Sequence, residues 1–421
     1  MNAARAHTEI FWGGVDQGLS SATNLGLSVL AGRFLGASGL GVSFLGFVAC
    51  LLTLSLVRGF VTSPFVVATS MLDQHERDEA TRRCITLVVA AGFGASALMA
   101  LVGLVVPDPL GQSLVVFAPC AAAVVIQDLW RSTLFRDQCG SAAAFNDGVW
   151  AAVMLALVAV VWWHPSEWTV ALAWGGGAAA AAIVGFWQLD LRPTSFGASV
   201  QWWKRELRRL GSWMAMESVI IAVGGQATII ILASLLSAGE LGGLRVVQVV
   251  FAPMTLIGEA LHYPGVPIMT RALASTLAEA RKWATRLGLG ALGLIALYLA
   301  VVAPLSGQIL ARVFGPEFEQ FKNLILPTAL AQLLWALSIG FLILLKADRR
   351  VHATVACMVT NTIVTITATP ILASRYGVLG AAWGLALGTA TGSISAIVFG
   401  LLRRDIPLRF WREAELATAE Q

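Results

Sequence analysis

Charge is scarce in this chain. Only 12% of its 421 residues are Asp, Glu, Lys or Arg, against about 25% in a typical soluble domain. Histidine and cysteine number five each, with no HExxH and no CxxC spacing. The cysteines (Cys50, Cys84, Cys120, Cys139, Cys357) are scattered in or beside apolar segments, which reads as reduced packing residues and not as a disulfide framework. Long polar stretches are also missing. These shortages exclude a soluble enzyme, a secreted disulfide scaffold, a disordered chain and an ordinary nucleic-acid binder. No metal site or cofactor is expected.

What fills the chain is apolar surface. Hydrophobic residues make up 57%, and the mean hydropathy is +0.77. A soluble fold has no way to bury so much. The expected fold is therefore an all-α polytopic membrane protein. A helix needs about 20 mostly apolar residues to cross a bilayer. Twelve stretches qualify: 12–34, 41–70, 84–106, 113–135, 141–163, 167–189, 211–236, 242–269, 285–304, 323–346, 353–374 and 378–402. The first carries Asp16 and Arg33 and lacks a small-residue cleavage site, so it is expected to stay as the first span.

The pI of about 9.0 reflects loop arginines and lysines. With the N-terminus inside, about 21 of the 28 basic residues fall on the cytoplasmic side and about 4 outside. That split predicts both termini in the cytoplasm and a multi-pass protein of the inner, cytoplasmic membrane. Between spans 6 and 7, Trp202, Trp203, Lys204, Arg205, Arg208 and Arg209 predict an amphipathic helix in the cytoplasmic interface.

The halves resemble each other at an offset near 201. Asp16 maps to Glu217, Leu40-Gly41 to Leu241-Gly242, and Arg58 to Glu259. Ser63-Pro-Phe-Val66 nearly matches Tyr263-Pro-Gly-Val266, and Ala173-Trp-Gly175 echoes Ala382-Trp-Gly384. The expected organisation is a six-helix bundle over 1–190, an interfacial linker over 191–210, a second six-helix bundle over 211–402 and a cytoplasmic tail over 403–421. Parallel repeats of this kind put substrate between the halves and alternate access by rocking.

Ionisable residues within spans are functional candidates, because each costs about 2.5–3.5 kcal/mol at mid-bilayer. Arg58 lies well inside span 2 and is expected to contact an anionic group such as a phosphate; the bland reading is an Arg paired with Asp16 or Glu217. Asp16, Ser20, Thr23 and Asn24 share one face of span 1, the pattern of a helix that lines water. Glu217 takes the matching place in span 7, and Arg245 falls inside span 8. Glu259 and His262 are three apart in span 8 and so share a face, a plausible site for coupling to H+ or Na+. Asp128 and Arg131 in span 4 with Asp147 in span 5 make a candidate cytoplasmic gate or an interfacial ion-pair cluster. Gly288-Leu-Gly-Ala-Leu-Gly293 matches GxGxxG but sits inside an apolar span, where it reads as helix packing. The run 73–83 reads as a solvated loop.

Several stretches resemble one family. Asp16-Gln-Gly-Leu-Ser-Ser-Ala-Thr-Asn24, Ala31-Gly-Arg-Phe-Leu-Gly36 and Gly39-Leu-Gly-Val42 resemble the opening of polysaccharide (Wzx-like) flippases of the multidrug/oligosaccharidyl-lipid/polysaccharide (MOP) superfamily. Phe314-Gly-Pro-Glu-Phe318 resembles that family's FGPEF turn, and Tyr376-Gly-Val-Leu-Gly-Ala-Ala-Trp383 its YGxxGAAW start to helix 12. Gln127-Asp-Leu-Trp-Arg131 with Asn146-Asp147 resembles a pattern of actinobacterial members. The resemblance implies two six-helix bundles around a central cavity and transbilayer movement of an undecaprenyl-diphosphate-linked oligosaccharide. It implies that Arg58 meets the diphosphate. The implied partners are that lipid, membrane lipids and glycan-assembly enzymes. The rivals are a cation-coupled multidrug exporter of the same fold, a membrane-embedded glycan polymerase or ligase, and a transport-dead scaffold. The polymerase would need a sizeable outer loop, and the longest one expected is 303–322.

Overall fold

The structure, a computed structural model, describes residues 3–69, 72–208, 211–212, 219, 223–348 and 350–402. Among them there is helix and no strand. Helix α1 (Ala3–Val57) runs into a π-helical turn (Arg58–Thr62) and α2 (Ser63–Thr69). Then come α3 (Gln74–Gly103), α4 (Leu110–Arg136), α5 (Gly140–Trp163) and α6 (Glu167–Leu189). The linker holds α7 (Phe196–Trp202) and a π-turn (Trp203–Leu207). A third π-turn (Val223–Ala227) leads to α8 (Thr228–Leu232), α9 (Ala238–Ser275) and α10 (Leu277–Val313). A 3-10 helix (Pro316–Leu324), α11 (Ile325–Ala347) and α12 (Val351–Leu401) complete the chain.

Eight helical runs among the described residues are long and apolar enough to cross a membrane. Two of them are double. α1 bends at Gly36 (φ 69) into spans 1 and 2, and α12 bends at Gly377 (φ 59) into spans 11 and 12. Spans 3 to 6 are α3 to α6, and spans 9 and 10 are α10 and α11; α9, which is not one of the eight, covers the expected span 8. Span 7 ends in α8. Left-handed backbone favours glycine because no Cβ meets the following carbonyl. Gly36, Gly315 and Gly377 are the three glycines with positive φ among the described residues. Each falls in one of the three stretches that resemble the flippase turns.

Polar caps start the helices. Asp73 accepts from the Glu76 N–H, and Thr276 from the Glu279 N–H. Ser166 and Ser237 each form a capping box, with Thr169 and Glu240. These caps correct two expectations. The 73–83 run is the first turns of α3 and not a loop, held by the Asp73 cap and by the Gln74–Asp78 and Glu79–Arg83 pairs. The outer connection 303–322 is mostly the end of α10 followed by the 3-10 helix, so the expected loop is much shorter. Gly288 packs as expected: a Cβ there would lie 2.4 Å from the Leu337 carbonyl oxygen of span 10.

Spans 1 to 6 pack among themselves, as do spans 8 to 12, and the two bundles meet chiefly through α1 against α9. That crossing is reciprocal. A Cβ on Gly41 would lie 1.7 Å from the Ala238 oxygen, and one on Gly242 would lie 2.1 Å from the Ala37 oxygen. The pairs 37/238 and 41/242 are both separated by 201, the repeat offset, so the repeat is written into the contact. The face bearing the N-terminus is called inner here, following the arginine bias. The crossing then closes the outer face. The FGPEF turn and the 3-10 helix that continues from it add to it: Phe314 packs on Gly32 of span 1, and Phe321 on Gly243 of span 8. Phe314 and Phe318 are fully buried.

Candidate functional site

Arg58 owes its setting to a proline. Pro64 has no N–H, so the Phe60 carbonyl four residues back loses its helical donor. The chain opens into a π-turn in which the Ser63 N–H reaches back to the Arg58 oxygen. The freed Phe60 carbonyl accepts the indole N–H of Trp203 at 2.8 Å. The linker joining the two halves is thus latched to span 2 two residues from Arg58. Such π-turns inside helices recur at functional sites.

The Arg58 guanidinium binds Asp128 of span 4 through two N–H groups, Nε donating to Oδ2 at 2.8 Å. The expected bland partners were Asp16 and Glu217. Asp128 takes that place because the π-turn directs Arg58 toward span 4. Asp16 instead accepts from Nε of Arg131 at 2.5 Å, and Arg131 also donates to Gln17 at 3.1 Å. Asp128 and Arg131 therefore do not pair with each other. Gln127 donates to Asp147 at 2.6 Å and to Asn146 at 3.1 Å. Asn146 donates in turn to Gln188 of span 6 at 2.8 Å. Asp16 and Arg58 of the expected cavity group and the whole expected gate group thus form one network through spans 1, 2, 4, 5 and 6.

Three carboxylates (Asp16, Asp128, Asp147) face two guanidiniums (Arg58, Arg131) in that network. Asp16 Oδ1 and Asp147 Oδ2 are buried with no hydrogen-bond partner among the described residues. Their partners, Arg131 and Gln127, stand one turn apart on span 4. An unpartnered buried carboxylate oxygen is costly in low dielectric.

Two expectations for span 1 need correction. Asp16 is fully buried and Thr23 nearly so. Asn24 accepts from the Trp174 indole N–H at 3.3 Å. The polar stripe of span 1 faces spans 4, 5 and 6 inside its own bundle, and not a water-filled space between the halves. Arg245 does reach across the halves. Its guanidinium lies over Phe44 and Phe47, 5.2 and 4.8 Å from the ring centroids, and Nε donates to Ser28 at 3.1 Å. Glu217 lies outside the described residues, as do the side chains of Glu259 and His262.

Beside the network lies a cavity of about 480 Å³ lined by Arg58, Arg131, Arg136, Asp128, Thr62 and Ser132, among others. Asp128 is eight residues from the end of α4, so the cavity reaches about 12 Å in from the inner face at 1.5 Å per residue. The Arg58 side chain is 42% exposed despite its pair, and Arg131 20%. Arg136 is buried and ties the inner ends together, donating to Thr69 and Thr81 at 3.0 and 3.2 Å and lying over Phe65. A second cavity, of about 490 Å³, sits in the other half between spans 7, 8, 10, 11 and 12. Its polar groups are Gln248, Thr328, Gln332, Asn361, Thr362, Thr365 and Thr389. Sequence reasoning missed it. The one signal was a run of amides and hydroxyls at mid-span, with Gln248 three residues from Arg245 and hence on its face.

No family model matches the chain, and no curated protein matches it in sequence. Solved structures share its fold. Against the lipid II flippase MurJ in an inward closed conformation the TM-score is 0.74 at 12% identity, over 93% of this chain and 87% of that one. Against an inward-facing multidrug resistance MATE transporter of the MOP superfamily it is 0.69 at 11% identity, over 90% and 93%. Against an outward-facing MATE transporter it is 0.57 at 10% identity, over 92% of each chain. The all-helical fold expected from the sequence is the fold observed, and these MurJ and MATE structures share it.

Proposed function

We propose that this chain is a membrane flippase that moves an undecaprenyl-diphosphate-linked oligosaccharide from the inner to the outer leaflet of the cytoplasmic membrane, with both termini in the cytoplasm. The observation that carries the reading is the inner cavity beside Arg58, Arg131 and Arg136. Arginine donates in a fork that matches phosphate oxygens. A diphosphate anchored in the inner leaflet sits near the inner face, the depth at which that cavity begins. Its two halves, 1–190 and 211–402, would rock about the linker, opening the Gly41–Gly242 crossing while the inner cavity closes.

The proposed step is binding and release, with no bond made or broken. Arg58 and Arg131 turn part of their donors from Asp128 and Asp16 toward the diphosphate. The carboxylates keep the arginines placed and make the site exchangeable. A proton or Na+ drawn to Asp16 and Asp147 would offset the surplus negative charge and satisfy the two unpartnered oxygens, coupling an ion gradient to the arrangement of the arginines. The drug-exporter reading asks for an acidic, aromatic-lined cavity. Of the acids it relies on (Asp16, Glu217 and Glu259), Asp16 is fully buried, and the inner cavity lining carries three arginines.

The test is a flipping assay. Protein in liposomes receives a fluorescent undecaprenyl-diphosphate oligosaccharide, and outward movement is followed for the native chain and for Arg58→Gln. Flipping that falls at least about 10-fold in the variant, one lost charge-assisted contact being worth about 1.5–3 kcal/mol, supports the reading. No flipping by folded native protein under any imposed gradient contradicts it.

A further inference from the structure

We propose that the cavity in the second half is a binding site for uncharged sugar residues, and that it selects glycans with neutral rings at the position it receives. The inference rests on the flippase reading for its biological setting, and on the cavity alone for its chemistry.

None of the described lining residues is charged, and none is aromatic. The polar lining is amide and hydroxyl. Gln248 and Gln332 have no hydrogen-bond partner within the protein among the described residues, and both are partly exposed to the cavity. Thr362 faces it from span 11 in the same state. Thr365 donates to Asn361 Oδ1 at 3.0 Å, leaving that amide's N–H groups for other partners. An amide offers two donors and one acceptor oxygen, and a hydroxyl one donor and two lone pairs. Sugar hydroxyls carry the same mixed pattern, so each ring edge finds both kinds of partner. The volume of about 490 Å³ lies within the range of about 300–1,000 Å³ that small-molecule sites occupy.

Neutrality gives selection. A uronate or phosphate placed here meets no cation among the described lining residues, and a charge without a partner in low dielectric is strongly disfavoured. A cationic drug meets no acid among the described lining residues. Depth fits the same ligand. Gln332 stands seven residues from the outer end of span 10, and Asn361 ten from the inner end of span 11, so the cavity is near mid-membrane at about 1.5 Å per residue. The arginine cavity lies nearer the inner face. A glycan whose diphosphate rests at Arg58 extends from there toward the neutral cavity.

The experiment uses the full chain in nanodiscs and a free neutral trisaccharide with no lipid and no phosphate. Saturation-transfer NMR reads the contact, with the matched uronate-containing trisaccharide as the comparison. The native chain transfers saturation to the neutral sugar at least about 5-fold more strongly than to the uronate. Gln248→Leu with Gln332→Leu removes the signal, and so does Thr362→Val with Asn361→Leu on the facing wall. Arg58→Gln leaves it intact. Two pairs on different spans keep the test free of one misfolded variant. No transfer from the neutral sugar, equal transfer from both sugars, or transfer unchanged in both paired variants overturns the inference. Sugar binding that is lost in the paired variants, in a chain that fails to flip lipid-linked glycan, upholds the site and overturns only the lipid-anchored reading.

Discussion

The two halves of the chain, alike at an offset near 201, solve the problem of polarity in a membrane differently. The first half concentrates charge: Asp16, Arg58, Asp128, Arg131, Arg136 and Asp147 lie in one connected region. The second half, among its described residues, gathers amides and hydroxyls around a cavity of almost the same volume. Charged groups in low dielectric demand partners, so the first half uses three spans, 1, 2 and 4, to hold its ion pairs in place. Neutral groups demand less, which leaves Gln248 and Gln332 available to a ligand. Equivalent places in a repeat therefore need not hold equivalent chemistry. Trp174 and Trp383 illustrate the point: the first is buried against Phe47 and Trp150, whereas the second is 38% exposed.

Breaking the charged half is expected to have the largest effect. Asp16→Ala leaves Arg131 with Gln17 alone, and removing one member of a buried pair costs about 3–5 kcal/mol. Flipping should fall at least about 100-fold and the melting temperature should drop. Asp16→Ala with Arg131→Gln should recover the melting temperature but not the flipping. A single variant as stable as the native chain would sink the claim that this network is buried and paired.

The crossing between the halves comes next. Gly41→Leu or Gly242→Leu drives a side chain against a backbone carbonyl, so the outer ends must part. A membrane-impermeant maleimide should then label Leu40→Cys, buried beside the crossing, several-fold faster than in the glycine-bearing chain. Equal labelling would show that the crossing does not close the outer face.

Trp203→Phe removes a single hydrogen bond, to the Phe60 carbonyl, worth about 1 kcal/mol. Flipping should fall about 3- to 5-fold, and the loss should vanish in an Arg58→Gln background, because the latch acts through that arginine. Independent, additive losses would separate the linker from the site. The smallest effect belongs to the neutral half. Thr365→Val should change stability by no more than about 0.5–1 kcal/mol, since its hydroxyl donates one hydrogen bond, to Asn361. A drop in melting temperature as large as that of Asp16→Ala would erase the contrast between the halves.

Much of the architecture was legible in the residues. Gly36, Gly315 and Gly377 lie in the stretches marked by their resemblance to flippase turns, and the left-handed backbone found there explains the glycines. The positions of intramembrane charges were legible because apolar runs make them conspicuous. Their partners were not. Arg58 and Asp128 are 70 residues apart in sequence, and only the π-turn at Pro64 aims one at the other. The stripe on span 1 was correctly seen as polar, but periodicity cannot say whether such a face meets water or spans 4 to 6. The start of α3 was missed because apolar content was followed there and the Asp73 cap was not. The neutral cavity escaped notice because threonine, glutamine and asparagine stand out little in a chain so rich in small residues.

The claim that the two halves part on the outer side to release a lipid-linked glycan has one direct test. The Cβ expected on Gly239 lies 3.8 Å from the Ala37 Cβ, close to the mean spacing of about 3.8 Å in disulfides. Ala37→Cys with Gly239→Cys should therefore cross-link on mild oxidation. In liposomes, the oxidised protein should not flip an undecaprenyl-diphosphate oligosaccharide, and reduction should restore the native rate. Flipping at the same rate before and after reduction, with the cross-link verified, would contradict the account.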